Sequence, residues 1–230
     1  MPKGAWGQKF VANGVLTNRV EMAYSDFAAS NRQLNDQLQL PRFRLPVLGI
    51  CAQASGTGKT TLLTALLPAL AMHGLTASVI KQTHHEFDVD HPGKDSHRLR
   101  QAGATQVLLS SNNRWVLMTE QASAPGDNRL LKMLSLLDHN LVNIVLVEGF
   151  RHAPIPKIEV YRPSLGRPLL AASDPHVIAI AADGEAKSHL PILDLNNAGA
   201  IADFVLNWHS QRAEAWTSPA LLDDFQLPSL

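Results

Sequence analysis

The chain has 230 residues, enough for one medium domain with a true core and extensions beyond it. Its 45% hydrophobic and 17% charged residues describe a globular chain, and 20 basic side chains against 20 acidic ones disfavour nucleic acid as the main partner. A lone cysteine, Cys51, excludes an internal disulfide framework, and no apolar run reaches membrane-spanning length. The first residues hold no continuous apolar stretch of the kind a secretory signal needs, so the expected location is cytoplasmic.

Residues 1–44 are rich in Asn, Gln and Ser with weak periodicity. They read as a poorly ordered or peripheral extension with a short helix near Glu21–Ala29, joined to the first strand between Pro41 and Pro46. From 45 to 210 the pattern alternates. An apolar strand over Val47–Ala52 leads into a helix over Lys59–His73, with Gly74 just past its end. A second strand, Ala77–Lys81, runs into a polar loop over Thr83–Gly93 and a helix over Asp95–Ala102. Gln106–Ser110 and Arg114–Met118 are β-rich and joined by Ser111-Asn112-Asn113, which suits a hairpin. A helix over Asn128–Leu137 precedes the apolar strand Asn143–Val147, whose composition suits burial on both faces. Strands over Lys157–Tyr161, Val177–Ala181 and Ile192–Leu195 come next, and a helix over Ala198–Trp208 closes the domain before a loose tail over 211–230. Alternating strands and helices predict an α/β fold: a three-layer, mostly parallel sheet flanked by helices, with the hairpin as an extension.

The chemistry concentrates where these strands end. Ser55-Gly56-Thr57-Gly58-Lys59-Thr60-Thr61 lies between a strand and a helix, the setting of a phosphate-binding loop. Glycines let successive N–H groups point at a phosphate, and the helix N-terminus adds its positive end. Lys59 is placed for the β- and γ-phosphates and the Thr60 hydroxyl for Mg²⁺. The first glycine of the usual pattern is replaced by Gln53. Glu148, ending a central apolar strand before Gly149, is the matching acid, able to accept from metal-bound water or to align an attacking group. Lys81 would emerge near the phosphates, and Asp88 and Asp90 in the loop after it are candidates to approach the metal. His84, His85, Lys94 and Arg98 offer donors to a second, anionic ligand; so does the basic group Arg151, His152 and Lys157 after Glu148. Four histidines at 84, 85, 91 and 97 match no common zinc spacing. Asp183, ending a strand, can accept from guanine or serve as an ordinary turn aspartate before Gly184; no Asn-Lys-x-Asp or Thr-Lys-x-Asp stretch fixes the base.

Taken together the chain resembles the MobB family, the GTP-binding adaptor proteins of molybdopterin guanine dinucleotide biosynthesis. The resemblance spans about 45–210 and rests on the loop at 55–63, Ile80-Lys81-Gln82-Thr83-His84-His85, Asp88-Val89-Asp90, Pro92-Gly93-Lys94-Asp95-Ser96, Leu99–Ala104, Arg114–Glu120 and Leu146–Phe150. The chain departs from it at Gln82, where histidine is common, at Gln53, and in both extensions. The resemblance implies a homodimer that binds GTP with Mg²⁺, hydrolyses it weakly, and assists the guanylyltransferase MobA in joining GMP to molybdopterin, with no nucleic acid or membrane involved. The apolar hairpin at 106–118 is compatible with pairing across subunits. Two rival readings stay open from the residues: a small-molecule kinase of similar fold, for which Arg98 and Arg100 are the best lid arginines, and a non-hydrolysing nucleotide-binding scaffold.

Overall fold

The computed structural model describes residues 45–83, 89–120 and 129–216, the last five as backbone only. The expected helix near Glu21–Ala29 lies outside them, as do His84, His85 and Asp88. The chain divides into two units, one built from residues up to 82 and from 130 onward, the other from 83–129.

In the first unit six strands form one sheet: β1 (Val47–Cys51), β2 (Ala77–Lys81), β5 (Ile144–Glu148), β6 (Lys157–Tyr161), β7 (Val177–Ala182) and β8 (Ile192–Asp194). Their order is β2-β5-β1-β6-β7-β8, and every neighbouring pair runs parallel. Helices α1 (Lys59–Met72), α3 (Arg129–Ser135) and α4 (Ala198–Trp216) complete this unit, α3 beginning at its boundary. The strands β1 and β7 are apolar throughout, and β5 up to Glu148, because both of their faces are covered, whereas the edge strands β2 and β8 are partly exposed. Alternate residues go to opposite faces. Leu48 and Ile50 of β1, Ile144 and Leu146 of β5, and Ile158 and Val160 of β6 pack with Leu62, Leu66 and Leu70 of α1 and Ile201, Val205 and Trp208 of α4. Val47, Val145 and Val147 face the other way, onto Leu130 and Leu134 of α3. Cys51, Val177 and Ile180 join a third cluster with Ala171 and Leu190. Burial pushes the Cys51 thiol up to about 12, so it is a protonated core residue at neutral pH, as its place in an apolar strand suggests.

The second unit contains α2 (Asp95–Gln101) and the antiparallel hairpin of β3 (Gln106–Ser110) and β4 (Trp115–Thr119). Val107 and Met118 face each other in register and are buried. Leu108, Leu109, Trp115, Val116 and Leu117 are exposed.

The α/β architecture with its separate hairpin matches the expectation. The closing helix does not stop at Trp208; it continues to Trp216. Residues 209–216 carry no Gly or Pro, so nothing in the local chemistry ends it earlier. Among the described residues no helix is long and apolar enough to cross a membrane.

Candidate functional site

The loop between β1 and α1 has the shape its sequence predicts. Gly56 and Gly58 take positive φ of 73° and 106°, and Gly58 caps the helix that Lys59 and Thr60 open. The substitution at Gln53 costs the loop little: Phe150 is the one non-glycine with positive φ among the described residues, so position 53 does not demand glycine. Gln53 instead accepts from Arg151 Nη1 through its backbone oxygen at 3.4 Å and its Oε1 at 3.3 Å. Within the loop the Thr57 hydroxyl donates to the Ala54 carbonyl at 2.7 Å, and the Lys59 ammonium reaches back to the same oxygen at 3.2 Å. Thr57 is buried, while Ser55, Gly56, Thr60 and Thr61 are exposed.

At the head of the loop three residues from three elements converge. The Thr60 hydroxyl donates to the Glu148 carboxylate at 3.0 and 3.1 Å. The Lys81 ammonium lies 3.0 Å from Thr60 Oγ1 and 3.1 and 3.2 Å from the two Glu148 oxygens. Sheet register makes the meeting: β2 pairs with β5 so that Lys81 sits directly opposite Glu148. Thus three hard oxygens surround one cation, the donor set a Mg²⁺ ion takes from a protein when phosphates supply its remaining ligands. The residues fit that ion. Behind this triangle the chain turns sharply at Gly149, whose φ is 94° and where a Cβ would lie 2.8 Å from Gln82 Cβ. Gln82 fixes the turn, its Oε1 accepting from the Phe150 amide at 2.8 Å. Gln82 thus has a local role, holding the turn that follows Glu148.

On the other flank, Arg162 follows β6. Its Nε donates to the Thr57 carbonyl at 2.8 Å, and its Nη1 pairs with the Asp183 carboxylate at the end of β7. Sequence reasoning passes over Arg162, because only the strand order, with β6 beside β1, brings residue 162 to residue 57.

The basic group after Glu148 separates. Arg151 and His152 are exposed, and Arg151 Nε donates to His152 Nε2 at 3.0 Å. Lys157 does not belong to a ligand-facing patch: it is 1% exposed. Its ammonium donates to the carbonyls of Arg151 at 2.9 Å and Ala153 at 2.7 Å and pairs with Asp174 at 2.7 Å. Burial alone would raise the Asp174 carboxyl, but the Lys157 hydrogen bond, the His176 amide and the Lys157 charge outweigh it and leave it below its ordinary value. Glu159, fully buried beside them, is raised by burial although it accepts from the amides of Leu170 at 2.7 Å and Ala171 at 2.9 Å.

In the second unit Asp90 Oδ1 accepts from Ser96 Oγ at 2.8 Å and from the His91 amide at 3.0 Å. Arg100 approaches Asp90 at 3.6 Å and pairs with Glu120 at 2.8 Å. Lys94 and Arg98 are exposed, Arg98 lying 3.8 Å from Asp95.

A family model described as Molybdopterin guanine dinucleotide synthesis protein B, MobB, matches residues 47–183. A molybdopterin-guanine dinucleotide biosynthesis adapter protein of Escherichia coli (strain K12) is 46% identical over 167 residues, covering 71% of this chain and 93% of the relative. One of the same name from Haemophilus influenzae is 42% identical over 165 residues, covering 72% and 90%. Among solved structures, a molybdopterin-guanine biosynthesis protein B (mobB) superposes with a TM-score of 0.54 at 24% identity, covering 70% of this chain and 99% of that one. A MobB from Bacillus subtilis superposes at 0.52 with 23% identity, covering 71% and 97%. At these identities the structures attest the fold.

Proposed function

The chain belongs to the MobB family, and on that basis we propose that it is an adapter of molybdopterin guanine dinucleotide biosynthesis that binds GTP with Mg²⁺ and hydrolyses it weakly. In this reading it assists the guanylyltransferase MobA, which joins GMP to molybdopterin. The observation that carries the nucleotide reading is the convergence of Thr60, Glu148 and Lys81 at the mouth of a glycine-turned loop. The loop amides and the start of α1 hold phosphate oxygens, and Lys59 places a positive charge on the β- and γ-phosphates. Thr60 and Glu148 would hold Mg²⁺, with Lys81 beside them as a second cation; the ion would supply positive charge against the phosphates. Glu148 orients the water that attacks.

The second, anionic ligand is molybdopterin; its candidate contact in the first unit is Arg151, and the second unit offers Lys94 and Arg98 as candidates of its own. Asp90 drops out as a metal ligand, because Ser96, the His91 amide and Arg100 already engage its carboxylate. The exposed apolar face of β3 and β4 supports a homodimer paired through residues 106–118, because an unpaired apolar edge of this kind is usually covered.

The test is a GMP-transfer assay with purified guanylyltransferase, molybdopterin, GTP and Mg²⁺, run with and without this chain. Product should form faster with the wild-type chain, and Lys59→Ala should give none of that gain. Equal rates with and without the chain, at concentrations where the two proteins co-elute, would overturn the adapter role.

A further inference from the structure

The flank of the phosphate loop opposite Glu148 carries a second, separate device. Thr57 is buried, and its backbone carbonyl accepts from Arg162 Nε at 2.8 Å while its own hydroxyl holds the Ala54 carbonyl at 2.7 Å. Asp183 takes the Nη1 edge of the same guanidinium. The third nitrogen, Nη2, lies against Gly58: a Cβ at that residue would stand 3.3 Å from it, and the φ of 106° also favours glycine. One planar group therefore touches the loop at Thr57 and Gly58 and is itself anchored at the end of β7. Lysine could not replace it. An ammonium is a single point of charge, whereas a guanidinium presents donors fixed in one plane and in several directions.

We propose that Arg162 is a positioning residue for the phosphate loop, and that Asp183 acts on phosphate binding through Arg162 instead of reading the base. The pair clamps the turn at Thr57–Gly58, so that the amides of this turn hold their orientation before phosphate arrives. The arrangement makes a base contact unnecessary to explain an aspartate at this place: its charge is already directed at the guanidinium. This rests on the nucleotide reading above, and it changes what Asp183 does within it.

Inorganic tripolyphosphate separates the two roles, because it has phosphates and no base. Its affinity, and that of GTP and ATP, is measured by calorimetry with Mg²⁺ for wild type, Arg162→Ala, Arg162→Lys, Asp183→Asn and the double variant Arg162→Ala/Asp183→Asn. The expected result is a loss of roughly tenfold for all three ligands alike in each single variant, of the size that orienting partners of a site generally show. The double variant should bind no worse than Arg162→Ala, since both changes break one device. Arg162→Lys should not rescue. Asp183→Asn preserves side-chain shape, so it keeps the test available should Arg162→Ala fail to fold. A loss confined to GTP in Asp183→Asn, with tripolyphosphate unchanged, would overturn the proposal in favour of base reading. So would unchanged affinity in folded variants whose melting temperature alone has fallen, which is the signature of a merely structural pair. Wild type that binds none of the three ligands would remove the nucleotide reading itself, and this inference with it.

Discussion

Two lysine–carboxylate pairs have their lysines in the same sheet and differ in almost everything but their chemistry. Lys81 meets Glu148 at 3.1 Å with the lysine side chain 53% exposed; Lys157 meets Asp174 at 2.7 Å with the lysine 1% exposed. Lys81 and Glu148 end adjacent strands at the N-terminus of α1, where the Thr60 hydroxyl joins them. Lys157 points to the opposite face, under the segment after β5, and its three donors are taken by two carbonyls and a carboxylate. The first pair leaves a half-exposed cation at the loop mouth, resting on a carboxylate that is itself only 10% exposed. The second is closed, and it ties the turn after Glu148 to the sheet. What decides between site and staple is therefore the face a lysine occupies and whether its donors are all used, not the residue types.

Substitutions that separate the two pairs sharpen the contrast. Asp174→Asn should be the most damaging to the fold, because it leaves the buried Lys157 ammonium without its counter-charge; a loss of about 3 kcal/mol is expected in urea unfolding. The pH dependence has a definite sign. The folded Asp174 value lies below its ordinary 3.8, so its contribution is fully present above that pH and is lost as pH falls through the lower folded value. The stability gap between wild type and Asp174→Asn should thus be widest near neutrality and close in strong acid. A constant gap down to pH 2 (roughly two units below that ordinary value) would argue against the ion pair.

At the open pair the effects move from folding to chemistry. Glu148→Gln should fold normally, keep GTP affinity, and lower single-turnover hydrolysis about tenfold, equivalent to roughly 1.4 kcal/mol of barrier. Equal turnover at saturating Mg²⁺ would take Glu148 out of the reaction. Lys81→Met should change stability by about 1 kcal/mol, since solvent screens the half-exposed lysine and the Thr60 hydroxyl still donates to the Glu148 carboxylate. Its visible effect should be on Mg²⁺: with one cation gone from beside Thr60 and Glu148, half-saturation in a fluorescence titration should fall to lower Mg²⁺. An unchanged or higher Mg²⁺ requirement would mean that Lys81 does not share those oxygens with the metal.

The sequence makes the open pair legible and hides the closed one. Ser55–Thr61 sits between an apolar strand and a leucine-rich helical run, and Glu148 ends an apolar run, so each can be placed from local pattern alone. Lys81 also ends a recognisable strand. Its contact with Glu148, however, depends on β5 inserting beside β2, which local periodicity does not encode. Lys157 reads as the first residue of a strand and as one of a basic group with Arg151 and His152. It is buried because β6 is a central strand between β1 and β7, and a buried lysine carries no local mark until its partners, 4 to 17 residues away in sequence, are folded around it. Arg162 escapes notice for the same reason, its contact to Thr57 spanning 105 residues. The closing helix outruns its expected end because stop signals are readable only where Gly, Pro or a cap supplies one.

Calorimetric titration of Mg²⁺-GTP into wild type and Lys59→Ala, beside their thermal melts, tests the nucleotide site most directly. Affinity should fall about a hundredfold, near 2.7 kcal/mol, with the melting temperature of the ligand-free protein almost unmoved. A folded Lys59→Ala that binds Mg²⁺-GTP as tightly as wild type would contradict the phosphate-binding role of this loop.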